Sequence, residues 1–183
     1  FGGSCCLLVK PEAADKIVVA HDGADSIDEA PHVETQSLKG AFTVGYVGHL
    51  YPGKGMEIIA PLARRCQWAT FHIVGGAEPD LCMWKERLSS LPNVVFHGHV
   101  PHGQTRSYLE AMDVVIAPYL RVVQGVGGGN VNLAEGMSPL KIFEYMAAGR
   151  AILSSDLPVL REVLRDGENA LLCDPDEVGG WAH

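Results

Sequence analysis

Short apolar runs rich in β-branched residues recur along the chain, and the stretches between them carry apolar residues at helical spacing. The runs cover residues 16–20, 43–47, 71–74, 94–97, 114–117, 151–154 and 170–173. They are apolar nearly throughout instead of alternating, as strands covered on both faces are. Ile58, Ile59, Leu62 and Cys66 share one helical face, and Pro61 within that pattern predicts a kink. Helical spacing also marks residues 80–89, 104–112, 139–148 and 158–165. Strand–helix alternation over the whole chain predicts an α/β fold, a doubly wound parallel sheet of Rossmann-like type. In such sheets ligands sit beyond the carboxyl ends of the strands.

One segment breaks the rhythm. Residues 120–137 contain Gly125, Gly127, Gly128, Gly129 and Gly136 with no periodicity, a loop long enough to carry function or to be disordered. The expected division is a poorly defined segment at 1–15, one ligand-binding domain over 16–176, and a truncated tail at 177–183. No internal repeat or low-complexity tract is present.

Composition narrows the function classes. The chain has 183 residues, 47% hydrophobic and 20% charged, which excludes a disordered protein, a collagen-like repeat and a small disulfide scaffold. No apolar run approaches the roughly 20 residues needed to span a bilayer, and residues 1–10 lack the basic start of a signal peptide. A cytoplasmic location is the corresponding expectation. Fourteen Lys and Arg stand against 22 Asp and Glu, for a net charge of −8. With no basic patch visible, nucleic acid is not an expected partner. Any anionic ligand must then be held locally, by a few cations and backbone amides. Cys5, Cys6, Cys66, Cys82 and Cys173 are odd in number and lack metal-site spacing, which reads as reduced thiols.

Two segments have the makings of phosphate sites. Gly48-His49-Leu50-Tyr51-Pro52-Gly53-Lys54-Gly55 follows the run at 43–47 and opens a helix. Its glycines allow close backbone approach, the helix start offers free amides, and Lys54 adds a full charge. The spacing is nearly a P-loop, but Gly55 supplies no hydroxyl for magnesium. A tight turn with a solvated lysine is the bland alternative. The second segment is Glu135-Gly136-Met137-Ser138-Pro139-Leu140-Lys141-Ile142-Phe143-Glu144. Ser138 is a good N-cap, Pro139 a good first helical residue, and Gly149 a good stop. Lys141 then lies in the first turn, where the helix dipole disfavours a cation and a capping box would place Glu or Gln. An anion in front of both accounts for it. Glu144, one turn on, could accept hydrogen bonds from a ribose diol. A surface Lys–Glu pair is the alternative.

The stretches GHLYPGKG, GHVPH and SPLKIFEYMAAGRAILSSDLPVLREVLRDGENALLC resemble family 4 retaining glycosyltransferases of the GT-B fold. The resemblance covers the family's C-terminal, nucleotide-sugar-binding domain. It implies transfer of a sugar, with retention, from a nucleoside diphosphate donor (UDP or GDP) to an acceptor held by an N-terminal domain of the same protein. It implies no obligatory metal or other cofactor, and peripheral membrane association of the full enzyme. Gly48 and its loop, including Gly53 and Gly55, would face the donor phosphates, with Lys54 on the diphosphate. His49 stands where many members have Arg, so a titratable group replaces a permanent cation. Gly98, His99, Val100 and His102 match positions that contact the base. Ser138, Pro139, Leu140 and Lys141 would cap the diphosphate, and Glu144 would bind the ribose. The family's paired glutamates lie eight residues apart; counting back eight from Glu144 reaches Gly136, and Glu135 is one residue off. Glu135 takes the first glutamate's place near the donor sugar only if the glycine-rich loop shifts it.

His97, His99 and His102 could ligate a metal but signal no fourth ligand, so no metal site is expected. Trp68, Trp84 and Trp181 read as packing residues, Glu110 as a helix end and Asp113 as a strand start. The alternatives to a glycosyltransferase donor domain are a non-catalytic nucleotide-binding module and another GT-B enzyme, such as a sugar-nucleotide epimerase.

Overall fold

The computed structural model describes residues 23–24, 34–123, 132 and 140–183. The run expected as a strand at 16–20 lies outside the described residues, as do Glu135, Gly136, Ser138 and Pro139. The other six runs are all strands, in the order β1 (Thr43–Val47), β2 (Thr70–Val74), β3 (Val94–Gly98), β4 (Val114–Ala117), β5 (Ala151–Ser155) and β6 (Leu171–Cys173). Among the described residues four α-helices intervene: α1 (Met56–Arg65), α2 (Glu78–Arg87), α3 (His102–Glu110) and α4 (Leu140–Ala147). Glu110 ends α3 and Asp113 immediately precedes β4. Asp113 fixes that corner, where its carboxylate accepts from the Thr43 amide at 2.7 Å and the Thr43 hydroxyl at 2.8 Å.

The sheet is parallel throughout, with strand order β3-β2-β1-β4-β5-β6. This is the order of a doubly wound, Rossmann-like sheet, and the winding reverses between β1 and β4. Apolar strand sequences follow from two cores, one on each face. Tyr46, Ile58, Ile59, Leu62, Phe71, Ile73 and Trp84 build the first, between the sheet and α1 and α2. Leu109, Met112, Val115, Ile142, Tyr145, Leu157, Leu160 and Leu164 build the second, between the sheet and α3 and α4. The edge strands β3 and β6 are only partly covered.

Helix α1 runs from Met56 to Arg65 with Pro61 inside it. Two local expectations are corrected. No helix forms over 158–165; a 3-10 turn, Leu160–Glu162, replaces it. Val159 and Val163 are β-branched and weaken a helix there. The Asn169 side chain completes the turn, accepting from the Arg165 amide at 2.7 Å and donating to the Val163 carbonyl at 3.1 Å. Trp84 and Trp181 are buried as expected, but Trp68 is 65% exposed, its ring tilted against Phe42 in the turn before β2.

A histidine pair lies within the sheet. His72 on β2 is buried, and its Nε2 donates to the Lys39 carbonyl at 2.8 Å. Its Nδ1 must then accept from His97 Nε2, 3.0 Å away. His97 is the unpaired residue where the β2–β3 register shifts. Burial pushes the pKa of both rings down, and His72 lowers that of His97 further. The unfolded chain therefore takes up protons below about pH 6.5 that the folded chain resists, so stability falls as pH drops through that value. Thermal midpoints measured from pH 8 to 5 should decline below pH 6.5, with a shallower slope in His72→Gln. An unchanged slope in the variant would assign the acid sensitivity to other groups.

Candidate functional site

The carboxyl ends of β1 and β4 open a crevice at the reversal of winding. The two strands are in register only at Val44↔Val114 and Gly45↔Val115, while β1 and β2 pair over five residues. Beyond Gly45 the side chain of Tyr145, from α4, stands between them. Its hydroxyl accepts from the Val47 amide at 3.0 Å and lies 3.4 Å from the carbonyls of both Val47 and Ile116.

Two loops close over this point. The Gly48 amide donates to the Val74 carbonyl at 2.9 Å, and the Tyr46 hydroxyl donates to the His49 carbonyl at 2.5 Å. Gly48 has φ +150°, and a Cβ there would sit 2.8 Å from the Lys141 amine. The missing side chain is thus the space that the amine uses. Gly55, at φ +119°, lets the start of α1 lie on the β4 exit, where a Cβ would meet the Pro118 carbonyl at 2.5 Å. The Leu120 amide donates to the Gly53 carbonyl at 3.0 Å, and the Ser155 hydroxyl to the Tyr119 carbonyl at 2.6 Å. The Gly53 amide is taken by Glu57, at 3.2 Å. The other Glu57 oxygen is buried with no partner among the described residues.

Lys54 and Lys141 come from the crossovers on opposite sides of the reversal and meet at one aromatic ring. The Lys54 amine lies 5.2 Å from the Tyr119 centroid and 5.3 Å from that of Tyr51. The Lys141 amine lies 4.8 Å from the Tyr119 centroid and 4.2 Å from that of Tyr46. Aromatic faces attract cations, more so when water is excluded. The Lys141 stem reaches the surface, but its amine is buried and bonds to no described residue. Burial first, and Lys54 with it, push its pKa down against the opposing pull of Glu144, to about 7. Burial lowers the pKa of Lys54 as well. Desolvation raises those of Tyr46, Tyr51, Tyr119 and Tyr145, so the phenols around the amines stay neutral.

One turn along α4 from Lys141, the partly buried Glu144 faces His102 at the start of α3, with Oε1 3.8 Å from Nδ1. Gly98 ends β3 and is buried; its carbonyl accepts from the Gly75 amide at 2.7 Å. Val100 packs against the second core, while His99 is exposed. Leu140, at the start of α4, is 55% exposed, and His49 is exposed with its ring beside Tyr51. The structure therefore groups Gly48, Gly53, Lys54, Gly55 and Lys141, and sets Glu144 against His102. His97 turns instead to His72, and among the described residues no His, Cys, Asp or Glu cluster is arranged to hold a metal. Sequence reasoning missed the tyrosines and Glu57. Tyr46, Tyr51, Tyr119 and Tyr145 each stand within a few residues of a strand end or a candidate lysine, a pattern visible in the sequence.

A family model for the group 1 glycosyl transferases matches residues 41–183, which include all the strands and helices of the described residues. The chain belongs to the group 1 glycosyl transferases. It is 29% identical over 163 residues to the phosphatidyl-myo-inositol mannosyltransferase of Mycolicibacterium smegmatis, covering 86% of this chain and 38% of that protein. It is 25% identical over 130 residues to the putative teichuronic acid biosynthesis glycosyltransferase TuaH of Bacillus subtilis, covering 71% of this chain and 30% of that one. The matched parts thus span 38% of the first relative and 30% of the second, about a third of each. Among solved structures, Anabaena HepE in complex with UDP and glucose superposes with a TM-score of 0.58 at 23% identity. That match covers 77% of this chain and 36% of HepE, and it concerns the fold. The Rossmann-like sheet of this group 1 chain is that of GT-B glycosyltransferases. No helix among the described residues is long and apolar enough to cross a membrane.

A buried, unbonded amine in a group 1 domain is a cost to folding. The unfolded chain keeps Lys141 charged up to about pH 10.4, whereas burial favours the neutral amine. Lys141→Met should therefore raise stability at pH 7 by on the order of 1–2 kcal/mol, a gain that fades as pH approaches the free-lysine value. Urea melts at pH 7 and pH 10 measure this. A loss of stability at pH 7 would show that the amine has a stabilising partner.

Proposed function

We propose that this chain is the donor-binding domain of a retaining glycosyltransferase that transfers a sugar from a nucleoside diphosphate to an acceptor held by an N-terminal domain. One observation carries the reading: Lys54 and Lys141 converge on the Tyr119 ring at the sheet's point of reversal. Two amines at one ring disfavour each other's positive charge, and a diphosphate between them offsets that penalty. HepE, a structural neighbour, is solved with UDP and glucose, which supports a nucleotide-sugar ligand. Its match to this chain concerns the fold, and both UDP and GDP donors fit the reading.

The division of labour follows from position. Lys54 and Lys141 hold the diphosphate, and Gly48 lets it approach the backbone. Glu144 accepts from the ribose hydroxyls one helical turn away, and His102 at 3.8 Å from that carboxylate borders the base with Gly98, His99 and Val100. During transfer the glycosidic C–O bond to the diphosphate breaks and negative charge grows on the leaving oxygen. Fixed cations in a dry site stabilise that charge more than they stabilise the bound donor. His49, exposed beside Tyr51, adds a hydrogen-bond donor to the loop that follows β1. The lysines supply the charge that a divalent metal supplies elsewhere, so donor binding should not require one. Acceptor binding and any base lie in the N-terminal domain, and the full enzyme works at the cytoplasmic face of a membrane.

The experiment is a thermal-shift panel of UDP, GDP, ADP and their nucleosides, each with magnesium and with EDTA. A ligand at a hundred times its Kd adds about 2.7 kcal/mol of stability. One diphosphate should shift the midpoint with or without metal. Lys54→Ala should weaken that diphosphate at least tenfold and its nucleoside little, and equal losses on both would remove the phosphate assignment. Glu144→Gln should reduce affinity for the ribonucleotide more than for its 2′-deoxy form. An unchanged ratio of the two would take the ribose away from Glu144.

A further inference from the structure

We propose that binding a nucleotide sugar draws a proton from solvent onto the Lys141 amine, so that affinity is controlled by pH on the alkaline side of neutrality. The inference rests on the donor-site reading above and adds a coupling to it. The geometry that carries it is the enclosure of one amine. Its nitrogen is buried, has no hydrogen-bond acceptor among the described residues, and is bounded by the faces of Tyr46 and Tyr119. The ring of Tyr119 is shared with a second cation, Lys54. An ammonium ion in that position loses its water and gains in return the quadrupole attraction of the rings and the longer-range pull of Glu144.

Each element around the amine presents a group that bears on its charge. Tyr46 comes from β1, and Tyr119 from the exit of β4. Both are held protonated by desolvation, and neither becomes a counter-ion. Lys54, from the loop before α1, disfavours a second positive charge. Glu57 of α1 acts on Tyr46, and one of its oxygens is committed to the Gly53 amide. On α4 itself, Tyr145 is neutral, and Glu144 is the acid among the described residues that favours the ammonium form. His102 competes for the same Glu144 carboxylate. The balance leaves the free amine titrating near neutrality, at about 7, while the half-buried Lys54 keeps more water.

A bound diphosphate reverses that balance. Its oxygens accept from the Lys141 N–H groups and bring negative charge into low dielectric, which favours the ammonium form strongly. The nitrogen lone pair takes a proton from solvent, and no covalent bond to the donor is made or broken. Both phosphates of a nucleotide sugar are diesters without a titration near neutrality, so the proton count belongs to the protein. By linkage, a group whose pKa rises on binding causes proton uptake. Affinity is then flat below the free value and falls as pH rises between the free and bound values.

The test is calorimetry with UDP-glucose and with GDP-mannose, each in two buffers of different ionisation heat, at pH 6 and pH 8. At pH 8 imidazoles are above their ordinary range, and a group titrating near 7 should take up about 0.9 proton; at pH 6, about 0.1. The Kd should rise close to tenfold per pH unit above 7. Lys141→Met should bind more weakly with no uptake at pH 8, and Lys141→Arg, charged throughout, should also show none. A wild-type chain that binds at pH 8 without proton exchange overturns the proposal, as does uptake that persists in Lys141→Met. An independent arm follows the Lys141 Cε resonance of the ligand-free chain with pH. A midpoint near 7 is expected, and one above pH 9 overturns the proposal even where binding is intact. A chain that binds neither nucleotide sugar at any pH while showing that midpoint overturns the donor reading instead, and this coupling with it.

Discussion

The crevice exists because the hydroxyl of Tyr145 occupies the line along which β1 and β4 would otherwise pair. The strands share two register positions and then part, and the Val47 amide donates to a phenol in place of a carbonyl on β4. A phenol oxygen can accept and donate at once, which lets one side chain satisfy polar groups of both strands in a dry place. The rest of the site depends on that separation. Tyr46 and Tyr119 face each other's lysines because their strands have parted, and α4 is anchored through the residue next to Glu144. A phenylalanine at the position of Tyr145 would fill the volume but leave the Val47 amide buried and unpaired, at a cost of about 1–3 kcal/mol.

The electrostatics oppose folding. Two amines are desolvated, one of them without an acceptor among the described residues, and a buried Glu57 oxygen is in the same condition. Such groups are rare in an interior selected for stability alone. They are common where a site is prepared in advance for charge that arrives with a ligand. The tyrosines make the arrangement tolerable. Their ring faces give each cation some attraction, while their raised pKa values prevent them from becoming counter-ions that would compete with an arriving anion.

The sheet was legible in the sequence because burial on both faces leaves continuous apolar runs, and six of those runs are strands within a residue or two of expectation. Lys141 was legible as an anomaly, a cation against a helix dipole. Two kinds of feature were less accessible. The 3-10 turn at Leu160–Glu162 has the apolar spacing of a helix, but long-range packing of Leu157, Leu160 and Leu164 and the Asn169 clasp set its geometry. The tyrosine enclosure and the His72–His97 pair each join residues far apart in sequence, and only strand order and register bring them together. The histidine triplet at 97, 99 and 102 shows the converse. Close in sequence, its members face three directions, because a β-bulge and a strand-to-helix turn separate them.

A chain with a net charge of −8 concentrates two lysines at one ring, and the topology explains how. Lys54 belongs to the crossover from β1 to β2, and Lys141 to the crossover from β4 to β5. Those crossovers lead away from each other along the sheet, so their starts are adjacent only at the reversal of winding. Together the two lysines set a local positive charge against the chain's net negative charge, and they share the Tyr119 ring. The Ser155 hydroxyl holds the Tyr119 backbone from β5, and the Leu120 amide ties the next residue to Gly53. An anion bridging the two amines would therefore join the halves of the sheet through side chains already fixed by backbone bonds. Little reorganisation is left to oppose binding, and the repulsion between the lysines is relieved in the same step.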